Sequence, residues 1–163
     1  MVPPGHSGAG GPLEMVQRAR ENLRDGDGQD DEIWCVFDVE CPEPHPTLRE
    51  AVQRARQEKI CLAVSNPCFE LWLILHHKTH NSYLTSAQAT ALRAELDRST
   101  GKKVDAACYA MPERLAAALQ RARDLAATHR DNGTTFPEDN PSSGMSELLA
   151  SCGLDPQQLS PPS

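Results

Sequence analysis

The sequence predicts an α/β fold in which a short parallel sheet is flanked by helices and the C-terminal half is helical. Two observations carry this. Ile33-Trp34-Cys35-Val36-Phe37 and Ile60-Cys61-Leu62-Ala63-Val64 are short, continuous apolar runs rich in β-branched and aromatic types, the pattern of strands buried on both faces. Roughly 20 residues carrying a polar helix separate them, which makes a strand–helix–strand unit with parallel strands. Beyond the second run, apolar residues recur at helical rather than strand spacing.

Each element has a local reason. The Gly/Pro-rich residues 1–10 give no element cause to form and are expected to be flexible. Leu13, Val16, Ala19 and Leu23 then mark a first helix, which Asp25-Gly26-Asp27-Gly28 turns out of. After the first strand, the prolines of Cys41-Pro42-Glu43-Pro44-His45-Pro46 forbid continued pairing. Thr47 is placed to cap a helix from Leu48 to Glu58. After the second strand, Asn66 as N-cap and Pro67 at the first helical position open a helix from Cys68 to about Lys78. That helix is apolar nearly all round, so it belongs in a core, and Glu70 is its only acid. Further helices are predicted over Ser86–Arg98 and Pro112–Arg130, the latter with Leu115, Leu119, Ala122, Leu125 and Ala126 on one face. A short helix from near Ser143 to Gly153 ends the domain, which spans residues 11–154, and residues 155–163 read as a disordered tail.

Charge and composition exclude several classes of function. The chain has 163 residues, 16 Lys+Arg against 23 Asp+Glu, and a net charge of -7. A basic nucleic-acid coat or membrane-surface protein does not look like this. An enzyme meeting nucleic acid through a bound cation remains compatible, because the cation offsets local carboxylates. The longest apolar stretch, Leu71 to Leu75, is far short of the ~20 residues of a membrane span, and the N-terminus lacks the features of an export signal. No membrane association is expected. Cys35, Cys41, Cys61, Cys68, Cys108 and Cys152 contain no C-x-x-C pair and read as reduced, mostly structural thiols of a cytoplasmic protein.

The chemistry is expected at the carboxyl ends of the parallel strands, where ligands of open α/β sheets gather. Asp38 and Glu40 follow the first strand, and their i, i+2 spacing in extended chain points both side chains the same way. Ser65, Asn66 and Glu70 follow the second. If the strands are neighbours, three carboxylates converge, a set of hard oxygen ligands suited to Mg²⁺ or Mn²⁺. The plainer readings are a solvated loop for Asp38 and Glu40, and a helix N-terminus favourable to acids for Glu70. His76, His77 and His80 form H-H-x-x-H without the acid of a metalloprotease motif. They read as a polar helix end, with a zinc-stabilised module including Cys41 as the competing view. Asn140-Pro141-Ser142-Ser143-Gly144 precedes a helix N-terminus and is either a weak anion site or a capped loop.

Trp34-Cys35-Val36-Phe37-Asp38-Val39-Glu40, followed by Ala63-Val64-Ser65-Asn66-Pro67-Cys68-Phe69-Glu70-Leu71-Trp72-Leu73-Ile74-Leu75-His76, resembles the RloB-like family, and Asn140-Pro141-Ser142-Ser143 is similar to that family's Asn-Pro-Ser-Thr segment. The likeness runs from about Gly11 to Leu154. It implies a Toprim-like fold in a bacterial cytoplasmic protein associated with restriction-modification, phage-defence and abortive-infection loci. It also implies Mg²⁺-dependent phosphodiester chemistry in which an Asp-x-Asp pair holds the metal and an earlier Glu acts as acid/base. Asp38 matches the first Asp, Glu40 takes the second position, and Glu70 lies in the signature helix. Metal-holding Asp38 and Glu40, supported by Glu70 and Asn66 as candidate catalytic residues, would then serve a nuclease acting on DNA or RNA. Relatives of this kind carry a strand and a Glu-Gly turn ahead of the segment matching Gly11. Their absence here implies either an N-terminally truncated product or a degraded relative, and the uncovered sheet edge of such a chain favours a homo-oligomer. It also raises the alternative of a non-catalytic adaptor or sensor acting through other defence-system proteins.

Overall fold

The computed structural model describes residues 10–25, 32–100 and 103–154. Its architecture is α/β, with seven helices and a three-stranded sheet among the described residues. The sheet order is β1 (Trp34–Asp38), β2 (Cys61–Asn66), β3 (Ser142–Ser143). The predicted parallel pair is present, and β3 adds a short antiparallel strand with Ser65 opposite Ser143 and Asn66 opposite Ser142. Residues 26–28 of the expected Asp25–Gly28 turn, the flexible residues 1–10 apart from Gly10, and the tail 155–163 lie outside the described residues, and Asp25 itself ends the first helix.

The chain divides into two compact bodies. The first comprises residues 1–35 and 45–61. In it α1 (Pro12–Asp25) packs on α2 (Leu48–Glu58) through a face of buried Val16, Ala19, Leu48, Ala51 and Ala55. Small alanines on the α2 side allow close approach of the two helices. Thr47 occupies the N-cap position of α2, but its side chain makes no capping bond. Its N–H instead donates to His45 Nδ1 at 3.2 Å, with the hydroxyl 3.0 Å from the same nitrogen. A local imidazole acceptor has displaced the expected cap.

The second body comprises residues 36–44 and 62–163. Its core is α3 (Glu70–His77) set against α4 (Ser86–Asp97) and α6 (Pro112–Asp131), with Leu71, Ile74, Leu75, Ala89, Ala118 and Leu119 fully buried. The all-round apolar pattern predicted this core position. The short α5 (Ala106–Tyr109) and α7 (Met145–Ser151) complete the helices.

Several expectations are corrected. β1 is not buried on both faces: Cys35 and Phe37 are buried while Val36 is 40% exposed, so the strand alternates. Asn66 and Pro67 do not start α3. Asn66 is the last residue of β2, and the helix begins at Glu70 behind Phe69. The reason is sheet pairing: β3 gives Ser65 and Asn66 strand partners, and Gly144 N–H donates to Val64 O at 2.9 Å. The same pairing removes Asn140–Gly144 as an open anion loop. Asn140 instead mimics a strand partner, its amide donating to Leu84 O (2.8 Å) and its Oδ1 accepting from Leu84 N–H (3.0 Å). His76 is buried rather than part of a polar helix end. Its Nδ1 lies 2.9 Å from Trp72 O, its ring meets Trp72 and Tyr109 edge-on, and burial lowers its pKa.

Candidate functional site

The site grows from the end of β1. Ladder pairing continues one residue beyond the strand, with Val39 N–H donating to Ser65 O at 2.9 Å, and this holds Asp38 at the carboxyl edge of the parallel pair. The chain then departs from the extended geometry assumed from the i, i+2 spacing. Glu40 has φ 65°, the left-handed region that a residue with a Cβ enters at a cost of roughly 1–2 kcal/mol. Hydrogen bonds on both sides impose it. Glu40 N–H donates to Pro67 O at 2.8 Å, Cys41 N–H to Ser86 Oγ at 3.2 Å, and Ser86 N–H to Cys41 O at 2.9 Å. The backbone bearing the second carboxylate is therefore clamped between the segment after β2 and the start of α4, an over-determined conformation of the kind that collects at functional sites.

Glu70 reaches the same place from α3. As the first helical residue it gains from the N-terminal dipole, so the plainer reading of its position also holds. Asp38, Glu40 and Glu70 line one cavity of about 320 Å³ together with Cys68, Phe69, Ser86, Ala87 and Thr90, and among the described residues no Lys or Arg contributes to its wall. Cys68 is buried under the carboxylates. Burial pushes its thiol far above the ordinary value, and the hydrogen bond and charge of Glu70 and the charge of Asp38 push it further. It is a neutral thiol, which leaves the negative charge of the cavity on the carboxylates.

Asn66, expected to support this site, is placed elsewhere. It is fully buried and does not line the cavity. Its amide donates to Pro137 O and Asp139 Oδ1, both at 2.9 Å, and its Oδ1 accepts from the Cys41 thiol at 3.2 Å. Asn66 thus fixes the loop beyond Glu40 from behind. The wall residues not anticipated as part of the site are Cys68, Phe69, Ser86, Ala87 and Thr90. Cys68 and Phe69 directly precede Glu70, a usable signal, whereas Ser86 and Thr90 arrive through tertiary packing alone.

The donor set is compatible with a hard divalent cation. Among the described residues no three His, Cys, Asp or Glu side chains lie close enough to share one ion. An ion here would be held by one or two carboxylates and complete its shell with water, the usual habit of Mg²⁺. Among the described residues the histidines form no alternative cluster: His76 is turned into the core and His80 Nε2 lies 2.9 Å from Ser82 O.

The profile of the family described as RloB-like protein matches residues 3–151, nearly the whole chain and every residue of the cavity wall. The chain belongs to the RloB-like protein family. No curated protein and no solved structure gives a significant match. Within the RloB-like match fall both strands of the parallel pair and the α3 segment that brings Glu70 to them. Among the described residues, no helix is long and apolar enough to cross a membrane.

Proposed function

We propose that this chain is a divalent-metal-dependent phosphodiesterase, acting as a nuclease in a bacterial phage-defence or restriction-associated system. The observation that carries the reading is the gathering of Asp38, Glu40 and Glu70 on one cavity at the carboxyl edge of a parallel strand pair. Acidic side chains that face one cavity favour a cation there, because its charge offsets theirs. The family resemblance supports the same chemistry.

In this reading Asp38 and Glu40 hold Mg²⁺ or Mn²⁺. A bound ion supplies Lewis-acid polarisation of a phosphoryl oxygen and makes a coordinated water a better nucleophile. Asp38 is presented by a strand end and Glu40 by a clamped backbone, so the backbone beneath both carboxylates is already held. Glu70 accepts the proton released by the attacking water. Cys68 beneath it, kept as a thiol, holds that carboxylate through a hydrogen bond. Asn66 acts from behind by immobilising Cys41.

The test is a Mn²⁺ titration followed by thermal unfolding, on the wild type and Asp38→Ala side by side. At an ion concentration about 100 times Kd, linkage stabilises by roughly 2.7 kcal/mol, a rise of roughly 5–10 °C for a chain of this size. That rise is expected only when Asp38 is present. Equal responses, or none, would remove the metal assignment. The second reading, a non-catalytic adaptor of the same system, draws on the lack of a three-ligand cluster among the described residues. It is favoured if metal binds but neither DNA nor RNA is cleaved.

A further inference from the structure

The cavity wall includes an aromatic side chain that metal chemistry does not use. Phe69 sits between Cys68 and Glu70 at the entrance to α3, lines the cavity, and is 39% exposed, although the apolar residues that follow it in the helix are buried. Among the described residues it is the one aromatic side chain in a wall otherwise made of carboxylates, hydroxyls, a thiol and Ala87.

We infer that Phe69 is a stacking platform for an unpaired nucleobase, so that the substrate class is single-stranded nucleic acid. This rests on the phosphodiesterase reading of the cavity. Among the described residues the wall holds no Lys or Arg, so a cation would supply the phosphate contact there, and what Phe69 offers is attraction to an uncharged part of the substrate. A nucleobase is that part: flat, polarisable and sequence-tolerant in its stacking on an aromatic ring. Bases in a duplex have both faces covered by their neighbours, so only an unpaired or splayed base presents one. The volume agrees, since about 320 Å³ is at the small end of ligand pockets and admits one nucleotide rather than a duplex segment.

The hydroxyls beside the ring add edge recognition. Ser86 Oγ accepts from Cys41 N–H, which leaves its proton to donate. Thr90 Oγ donates to Ser86 O at 3.0 Å, which leaves its lone pairs to accept. One donor and one acceptor therefore face the space next to Phe69 and suit the mixed edge of a base.

The experiment measures fluorescence anisotropy of labelled 12-mers, single-stranded DNA and single-stranded RNA of one sequence and the matching DNA duplex, in Ca²⁺ to slow cleavage. The full chain, Phe69→Leu and Phe69→Trp are compared, and Mn²⁺-dependent thermal shift is recorded for each. The wild type is expected to bind at least one single strand ten-fold or more tighter than the duplex. Phe69→Leu is expected to lose about ten-fold on the strand alone, Phe69→Trp to retain it, and the Mn²⁺ response to stay unchanged in both. Equal strand binding by Phe69→Leu and wild type, or a preference for the duplex, or no binding of any 12-mer, overturns the stacking platform while an intact Mn²⁺ response leaves the metal reading standing. Loss of the Mn²⁺ response in the wild type instead overturns the metal reading, whatever the oligonucleotides do. The DNA and RNA arms show which strand the platform takes.

Discussion

Glu40 and Asp97 show how single residues are held against their own preferences. The left-handed backbone of Glu40 is intrinsically costly for any residue but glycine. Glu40→Gly is therefore expected to keep or raise stability, by up to about 1 kcal/mol in urea unfolding, while weakening Mn²⁺ binding. A large loss of stability would show that the Glu40 side chain, not the backbone clamp, sets the geometry. Asp97 lies fully buried against Arg93 at 3.2 Å. Burial alone would raise its pKa, but hydrogen bonds from Ser99, Tyr109 (2.7 Å) and Arg93 outweigh it and hold the group at about 2. A folded value below the ordinary 3.8 contributes stability above about pH 4 that is lost as pH falls toward 2. His76, lowered by burial from 6.5, gives a separate loss as pH falls through its unfolded value, because only the unfolded chain takes the proton readily. Urea midpoints measured from pH 7 to 2 should fall in both windows, with His76→Phe flattening the upper and Asp97→Asn the lower.

Among the elements, β3 is two residues long yet decides the neighbourhood of the site. It requires Gly144. A Cβ there would come within 2.9 Å of Ala63 Cα and Val64 N, both backbone atoms of β2 that cannot move aside. Gly144→Ala is expected to cost about 1–3 kcal/mol by overpacking and to loosen Asn66, so that Mn²⁺ binding weakens along with stability. Unchanged calorimetric stability would mean that β3 pairing is dispensable. α3 is a different case, its place fixed by apolar packing on α4 and α6. Arg121 Nη1 donates to Leu75 O at 2.6 Å, closing a carbonyl that the helix end leaves open. Ile74→Ala should cost about 2–5 kcal/mol through the cavity it leaves.

For the whole molecule, the net charge of -7 sets the terms on which it meets a polyanion. Without divalent cation, oligonucleotide binding should be undetectable by anisotropy even at low salt, and should appear only as Mg²⁺, Mn²⁺ or Ca²⁺ is added. Strong binding in a chelator would sink the idea that the cation mediates contact. The α/β class, the parallel pair, the core helix and the acids of the strand edge were legible in the residues themselves, because burial is written as hydrophobic periodicity and strand-end acids follow from chain order. Asp38, Glu40 and Glu70 could be named from that pattern alone. Three things could not. Asn66 looked like a helix cap and became a strand residue, because its partner is 76 residues away at Ser142. Glu40 looked extended and is left-handed, because Pro67 and Ser86 draw the backbone round. Ser86, Ala87 and Thr90 gave no sign of sharing a cavity with the acids. Local propensity speaks for a residue and its near neighbours, whereas strand pairing and side-chain burial depend on groups that only the folded chain brings together.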